Sequence, residues 1–298
     1  MLIHDRDVLT KKAIALNFAG LNLVDAMKSG MYKSIYSGRG IEFDGVRNYL
    51  YGDDVRSIDW NVTARMGKPY IKLYEEEREL IVFLIVDRSL SMQLGSGKKH
   101  NSSRLKTATE AASLVLLAAQ HNASPIGGVV FGGSVEYASV PKMGRDAAMR
   151  LLYKIDAVPD QTMPGTLLSL AIRGAAKRLK NRSLVMIFSD FRCGGYEKEL
   201  AQLGSLHDVV AVRISDQTDI ELPSIGVLPV VDPENKISMK LPTSSHTFRQ
   251  EWKKYGIEFD RYWKMTCRQR GVTPLVLKNG CNVTTELIQF FSHREVFR

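Results

Sequence analysis

At 298 residues, 44% of them apolar and 24% charged, the chain can hold one large domain or a domain with an added module, around a sizeable core. No stretch reaches the ~18 to 20 apolar residues of a membrane span, and Met1-Leu2-Ile3-His4-Asp5-Arg6-Asp7 lacks the plan of a signal peptide, so a cytoplasmic location without an integral membrane segment is expected. The formal net charge of +9 is spread over short runs (Lys98-Lys99, Lys177 to Arg182, Lys253-Lys254) with no RNA-type aromatic signature or helix-turn-helix pattern, so an acidic protein partner is expected and nucleic acid is not.

In chain order, Asp7 to Met27 has mainly helical apolar spacing and is stopped by Ser29-Gly30. Residues 37–60 are dense in charge, glycine and aromatics. Arg39, Arg47, Arg56 and Arg65 alternate with Glu42, Asp53, Asp54 and Asp59, as if guanidinium forks pair with carboxylates around Trp60. This region reads as a structural salt-bridge network clamping a loop onto the main sheet. The run Glu79 to Val86 is then almost continuously apolar, the mark of a strand buried on both faces at the centre of a parallel sheet. It ends on Asp87-Arg88-Ser89-Leu90-Ser91. Ligands of such sheets bind beyond the carboxyl ends of the strands. One carboxylate and two hydroxyls there, without Cys or His, suit Mg²⁺, Mn²⁺ or Ca²⁺ rather than zinc. Gly95-Ser96-Gly97-Lys98-Lys99 fails as a phosphate loop, because Met92 stands where the first glycine belongs and Lys99 replaces the hydroxyl.

A helix is predicted from Arg104 to Asn122, then a hairpin about Gly132-Gly133, then a helix from Arg145 to Val158. Gly165-Thr166 opens an amphipathic helix (Leu167, Leu168, Leu170, Ala171), and Ser189-Asp190 closes the apolar strand Leu184 to Phe188. A helix follows from about Tyr196. The strand His207 to Ile214 leads to Asp216 and Asp219, read as solvated loop acids. Val227 to Leu241 forms a hairpin. Ser245 to Arg270 is a long helix whose Trp252, Tyr255, Phe259, Tyr262 and Trp263 are expected in the core, and a strand (Val272 to Leu277) and a last helix (Val283 to Phe291) complete the sheet. The alternation predicts an α/β domain with a doubly wound, mostly parallel sheet over 79–298, carrying a small β insertion near 227–241, behind an N-terminal extension over 1–78. Cys193, Cys267 and Cys281 are odd in number and widely spaced, which indicates reduced thiols. The six histidines have no metal or triad spacing and read as surface or capping residues.

The Asp-x-Ser-x-Ser end of the central strand resembles the metal-ion-dependent adhesion site of von Willebrand factor A-like domains. That family also requires a Thr from a second loop and an Asp after a later strand, places filled by Thr166 and Asp190. A second resemblance is more specific. Gly-Arg-Gly-Ile-Glu-Phe at 38–43, Gly-Asp-Asp-Val-Arg-Ser-Ile-Asp-Trp at 52–60, Ala64-Arg65, Glu75-Glu76-Glu77-Arg78-Glu79 and Asp-Arg-Ser-Leu-Ser-Met at 87–92 resemble the bacterial family catalogued as domain of unknown function 58. Those proteins are von Willebrand factor A-like and typically encoded beside MoxR-type AAA+ ATPases. The resemblance implies a metal-dependent protein-interaction module and no enzyme. Asp87, Ser89, Ser91, Thr166 and Asp190 would hold Mg²⁺, with Mn²⁺ or Ca²⁺ as alternatives. The implied partner is a MoxR-type ATPase, or a client protein offering an acidic side chain to the metal. The rival reading is a metal-dependent hydrolase or phosphatase using Asp87, but phosphatases with a strand-end Asp nucleophile need a second Asp where Ser89 stands, and no Gly-x-Ser-x-Gly elbow occurs.

Overall fold

A computed structural model describes residues 41–76, 80–95, 103–158, 165, 167–231 and 237–293. The expected helix at 7–27, Arg39 and Thr166 lie outside the described residues. What is described divides into two compact units, meeting in sequence between Glu79 and Leu80.

The smaller unit is an antiparallel pair, β1 (Ile41–Asn48) and β2 (Tyr70–Glu76), joined through a 3-10 turn (Val55–Ser57) and a short helix, α1 (Trp60–Met66). Its acids act mainly as local caps. Asp54 accepts from the Arg56 amide, and Asp59 accepts from the amides of Asn61 and Val62, satisfying donors that a helix start leaves open. Only Arg47 and Asp53 form the expected guanidinium–carboxylate fork among the described residues, with nitrogen–oxygen distances of 2.8 and 2.9 Å. That hydrogen-bonded guanidinium holds the Asp53 carboxyl below its ordinary range. Among the described residues the cation paired with Asp59 is Lys72, at 4.0 Å, and Trp60 is exposed, so no network of described residues gathers around it.

The larger unit is built on a six-stranded sheet in the order β10-β7-β6-β3-β4-β5. Its strands are β3 (Val82–Asp87), β4 (Ile126–Phe131), β5 (Val135–Lys142), β6 (Leu184–Ser189), β7 (Asp208–Ser215) and β10 (Val272–Lys278). All neighbours are parallel except the edge strand β5, which returns antiparallel to β4 through the predicted hairpin. The expected doubly wound, mostly parallel fold is therefore present. β3, β4, β6 and β7 are buried along their whole length, which is why they read as unbroken apolar runs: helices cover both faces.

One face takes α3 (Arg104–His121), α4 (Arg145–Asp156) and α8 (Val283–His293); the other takes α5 (Leu168–Ala176), α6 (Glu197–Leu206) and α7 (His246–Gln269). Alternate strand residues (Phe83, Ile85, Val129, Val185, Ile187, Val209) share a core with Leu168, Ile172, Leu200, Leu203 and Trp263. On the α3 face, Gly128 lets α4 lie close to β4, since a Cβ there would come within 2.8 Å of both the Leu84 carbonyl oxygen and a Leu151 methyl. The insertion is the separate antiparallel pair β8 (Val227–Val231) and β9 (Ser238–Pro242).

Two further expectations are corrected. On α7 only Trp263 of the five aromatics is buried, and Tyr255 and Tyr262 are 68% and 60% exposed, because 24 residues outrun the width of sheet available to cover. Asp216 and Asp219 are buried and bonded, not solvated. His207 is a capping histidine, one of the two expected kinds: it takes the C-cap position of α6, its amide donating to the Leu203 carbonyl, and burial there pulls its pKa down. Among the described residues no helix is long and apolar enough to cross a membrane.

Candidate functional site

The sheet order reverses between β3 and β6. The chain leaves β3 for β4 on one side and returns to β6 on the other, which opens a crevice at their carboxyl ends. Parallel register sets Val86 beside Phe188, so the residues that follow, Asp87 and the Ser189-Asp190 pair, meet at that crevice. Adjacent strands bring together residues a hundred positions apart.

Asp87 is fully buried. One carboxylate oxygen accepts from the Ser89 amide at 2.9 Å and the other from the Ser189 hydroxyl at 2.6 Å. Ser189 in turn accepts from the Phe191 amide at 3.1 Å. Ser89 is at the N-cap position of the short helix α2 (Leu90–Gln93), yet its hydroxyl makes no capping bond. It lies 3.1 Å from the Ser91 hydroxyl instead. Asp190 is buried as well; its Oδ1 accepts from the Arg192 amide at 3.1 Å, and its buried Oδ2 has no hydrogen-bond partner. Burial, and then the nearby charge of Asp190, push the Asp87 carboxyl up to about 7, against the hydrogen bonds from Ser189 and Ser89.

Two further residues shape these loops. Arg88 is buried between the site residues, its guanidinium spent on Glu136 at 2.7 Å, on the Lys154 carbonyl at 2.8 Å and on the Ala157 carbonyl. It thereby pairs the acid on β5 and satisfies carbonyls at the end of α4, where a cation also complements the helix dipole. Phe191 adopts a left-handed backbone, φ 54°, which costs an L-residue about 1–2 kcal/mol. Its buried ring, 5.3 Å from Trp263 and 5.6 Å from Tyr196 between centroids, holds the turn in place and so fixes the loop carrying Asp190.

Of the predicted site residues, Asp87, Ser89, Ser91 and Asp190 are set around this crevice, and Thr166 lies outside the described residues. Among the described residues no group of three or more His, Cys, Asp or Glu side chains is gathered to hold a metal. The donor set is two carboxylates and a cluster of hydroxyls. Its chemistry suits a hard dication: the acids repel one another, and a buried carboxylate oxygen is left without a donor. Sequence reading missed Ser189, the residue bonded directly to Asp87; its position just before a strand-end Asp was the available signal.

The sheet order and the single antiparallel edge define a doubly wound, mostly parallel α/β domain with acids and hydroxyls at its switch point. The chain belongs to the family described as protein of unknown function DUF58, whose model matches residues 45–260. Uncharacterized proteins of Mycobacterium tuberculosis (strain H37Rv) and Mycobacterium bovis are each 25% identical to it over 274 residues, covering 91% of this chain and 85% of theirs. Among solved structures it is similar to an aerotolerance-related membrane protein from Bacteroides fragilis, at 16% identity and TM-score 0.44 over 72% of this chain and 100% of that one. It is also similar to the vWF domain of the type V pili tip protein Mfa5 from Porphyromonas gingivalis, at 13% identity and TM-score 0.32 over 72% and 86%.

Proposed function

We propose that this protein is an interaction module whose partner docks on a divalent cation, Mg²⁺ first, held by Asp87, Asp190, Ser89 and Ser91, with Thr166 as the further ligand that the family resemblance implies. One observation carries the reading: the buried Asp190 Oδ2 has no hydrogen-bond partner and stands near a second buried carboxylate. An uncompensated pair of this kind costs stability unless a cation joins it.

Bound there, the ion would supply an electrophilic docking point for an acidic side chain of the partner. Asp87, held on both oxygens, is the fixed ligand. Asp190, with an oxygen free, is the adaptable one. Ser89 and Ser91, uncommitted to capping, turn their hydroxyls to the ion. The partner we infer is a MoxR-type AAA+ ATPase or one of its clients, met in the cytoplasm where ATP is available. No bond is made or broken in this scheme. A phosphatase reading that makes Asp87 the nucleophile is less well supported, because both its oxygens are engaged by Ser89 and Ser189.

The test is paired: calorimetric Mg²⁺ titration of the free protein, and capture of the co-encoded ATPase with and without chelator. Wild type should bind Mg²⁺ and capture the ATPase only in its presence, and Asp190→Ala should lose both. Capture indifferent to chelator and to Asp190→Ala would move the interface elsewhere.

A further inference from the structure

The two acids that follow β7 are not part of the carboxylate–hydroxyl cluster, yet one of them ties its loops together. Asp219 is buried, and a single oxygen of its carboxylate takes two guanidinium groups, Arg104 at 2.6 Å and Arg192 at 3.0 Å. Its other oxygen accepts from the Asp216 amide at 2.9 Å. Arg104 is itself buried and is the first residue of α3. A cation in that position works against the helix dipole, so helix stability does not account for it. Its second terminal nitrogen donates to the Ser91 carbonyl at 3.2 Å, and its amide donates to Leu94 at 3.1 Å. On the other side, the Arg192 amide is the group that bonds Asp190 Oδ1. A continuous path therefore runs from the Ser91 backbone through Arg104, Asp219 and Arg192 to Asp190.

Asp219 is anchored well enough to serve as the middle of that path. The 3-10 turn carrying it (Gln217–Asp219) is closed by a reciprocal capping box with Asp216. Asp216 also accepts from the Thr218 hydroxyl at 2.7 Å and from Asn279 at 2.9 Å, and Asn279 accepts from Thr107 of α3 at 3.0 Å. From α7, the Trp252 indole donates to the Thr218 carbonyl at 2.9 Å, and Gly256 lies directly against the Asp219 carbonyl. Three elements of the larger unit thus hold one carboxylate still.

We infer that Asp219 is a positioning residue, which holds the Ser89–Ser91 loop and the Asp190 loop in mutual register so that their oxygens converge on one cation. This rests on the reading of Asp87 and Asp190 as a cation site.

The experiment uses the full chain as wild type, Asp219→Asn, Arg192→Ala and Asp87→Ala. Mg²⁺ affinity is measured by calorimetry, and amide hydrogen exchange over 88–94 and 190–193 is measured in chelator. Asp219→Asn should weaken Mg²⁺ by about ten- to a hundredfold, the usual effect of losing a group that orients metal ligands, and should speed exchange in both segments without metal. Arg192→Ala, which removes a partly exposed side chain, should speed exchange in 190–193 alone and decides the matter should Asp219→Asn not fold. A lowered Tm with Mg²⁺ affinity and exchange within twofold of wild type would make Asp219 a stability residue only and overturn the inference. If wild type binds Mg²⁺ no better than Asp87→Ala, the cation reading falls instead, and exchange alone then decides whether Asp219 holds the two loops.

Discussion

Asp87 links folding, protons and metal in one side chain. Its carboxyl rises from the ordinary range near 4 to about 7 in the fold, first by burial and then by Asp190. A carboxyl raised on folding binds more protons folded than unfolded between those values. The metal-free protein should therefore be most stable, as far as this group is concerned, below pH ~4, and lose that contribution as pH rises through about 7. Thermal unfolding in chelator from pH 5 to pH 8 should show the decline, and Asp87→Asn should flatten it. Mg²⁺ needs the carboxylate form, so its affinity should climb over the same window. An affinity independent of pH between 5.5 and 8 would mean that the ion is not held by Asp87.

Between elements, packing decides what a substitution costs. Asp59 caps α1 on two amides and, among the described residues, has only Lys72, at 4.0 Å, as an ion-pair partner. Asp59→Ala should cost about 1 kcal/mol, the loss of a cap, and not the several kcal/mol of a broken buried ion pair; chemical denaturation separates the two. Gly256 is a different case. It is in the middle of α7, where glycine is ordinarily a poor choice, but a Cβ there would run into the Asp219 carbonyl. Gly256→Ala should destabilise by about 1–3 kcal/mol through overpacking, and by shifting the turn it should also lower Mg²⁺ affinity. Destabilisation with unaltered Mg²⁺ affinity would show that α7 supports the fold without reaching the site.

For the whole molecule, a net charge of +9 would by itself allow nucleic-acid binding, whose affinity falls steeply with salt. The proposed function predicts otherwise: a labelled random duplex should show no binding at 150 mM salt, while the acidic partner is still captured in Mg²⁺. Salt-resistant duplex binding would reopen that alternative. The larger unit joins β3, the crevice and α7 through buried polar contacts, so docking strength should depend on residues well away from the cation.

The architecture was legible in the chain because its signals are local. Unbroken apolar runs such as Val82 to Val86 and Leu184 to Phe188 can be satisfied only by strands covered on both faces, and a polar residue closing such a run has to emerge at the carboxyl edge. That reasoning located Asp87 and Asp190, and the hairpin about Gly132-Gly133. Other features depend on which distant segments meet. Ser189 bonds Asp87 across 102 positions and Asp219 meets Arg104 across 115; no periodicity records such distances. Local patterning also cannot say how far a long helix outruns its sheet, hence the exposure of Tyr255 and Tyr262, nor which of several alternating acids finds an arginine, hence Asp53 rather than Asp59. Burial and pairing are settled by the path of the loops between elements, and only the assembled sheet sets that path.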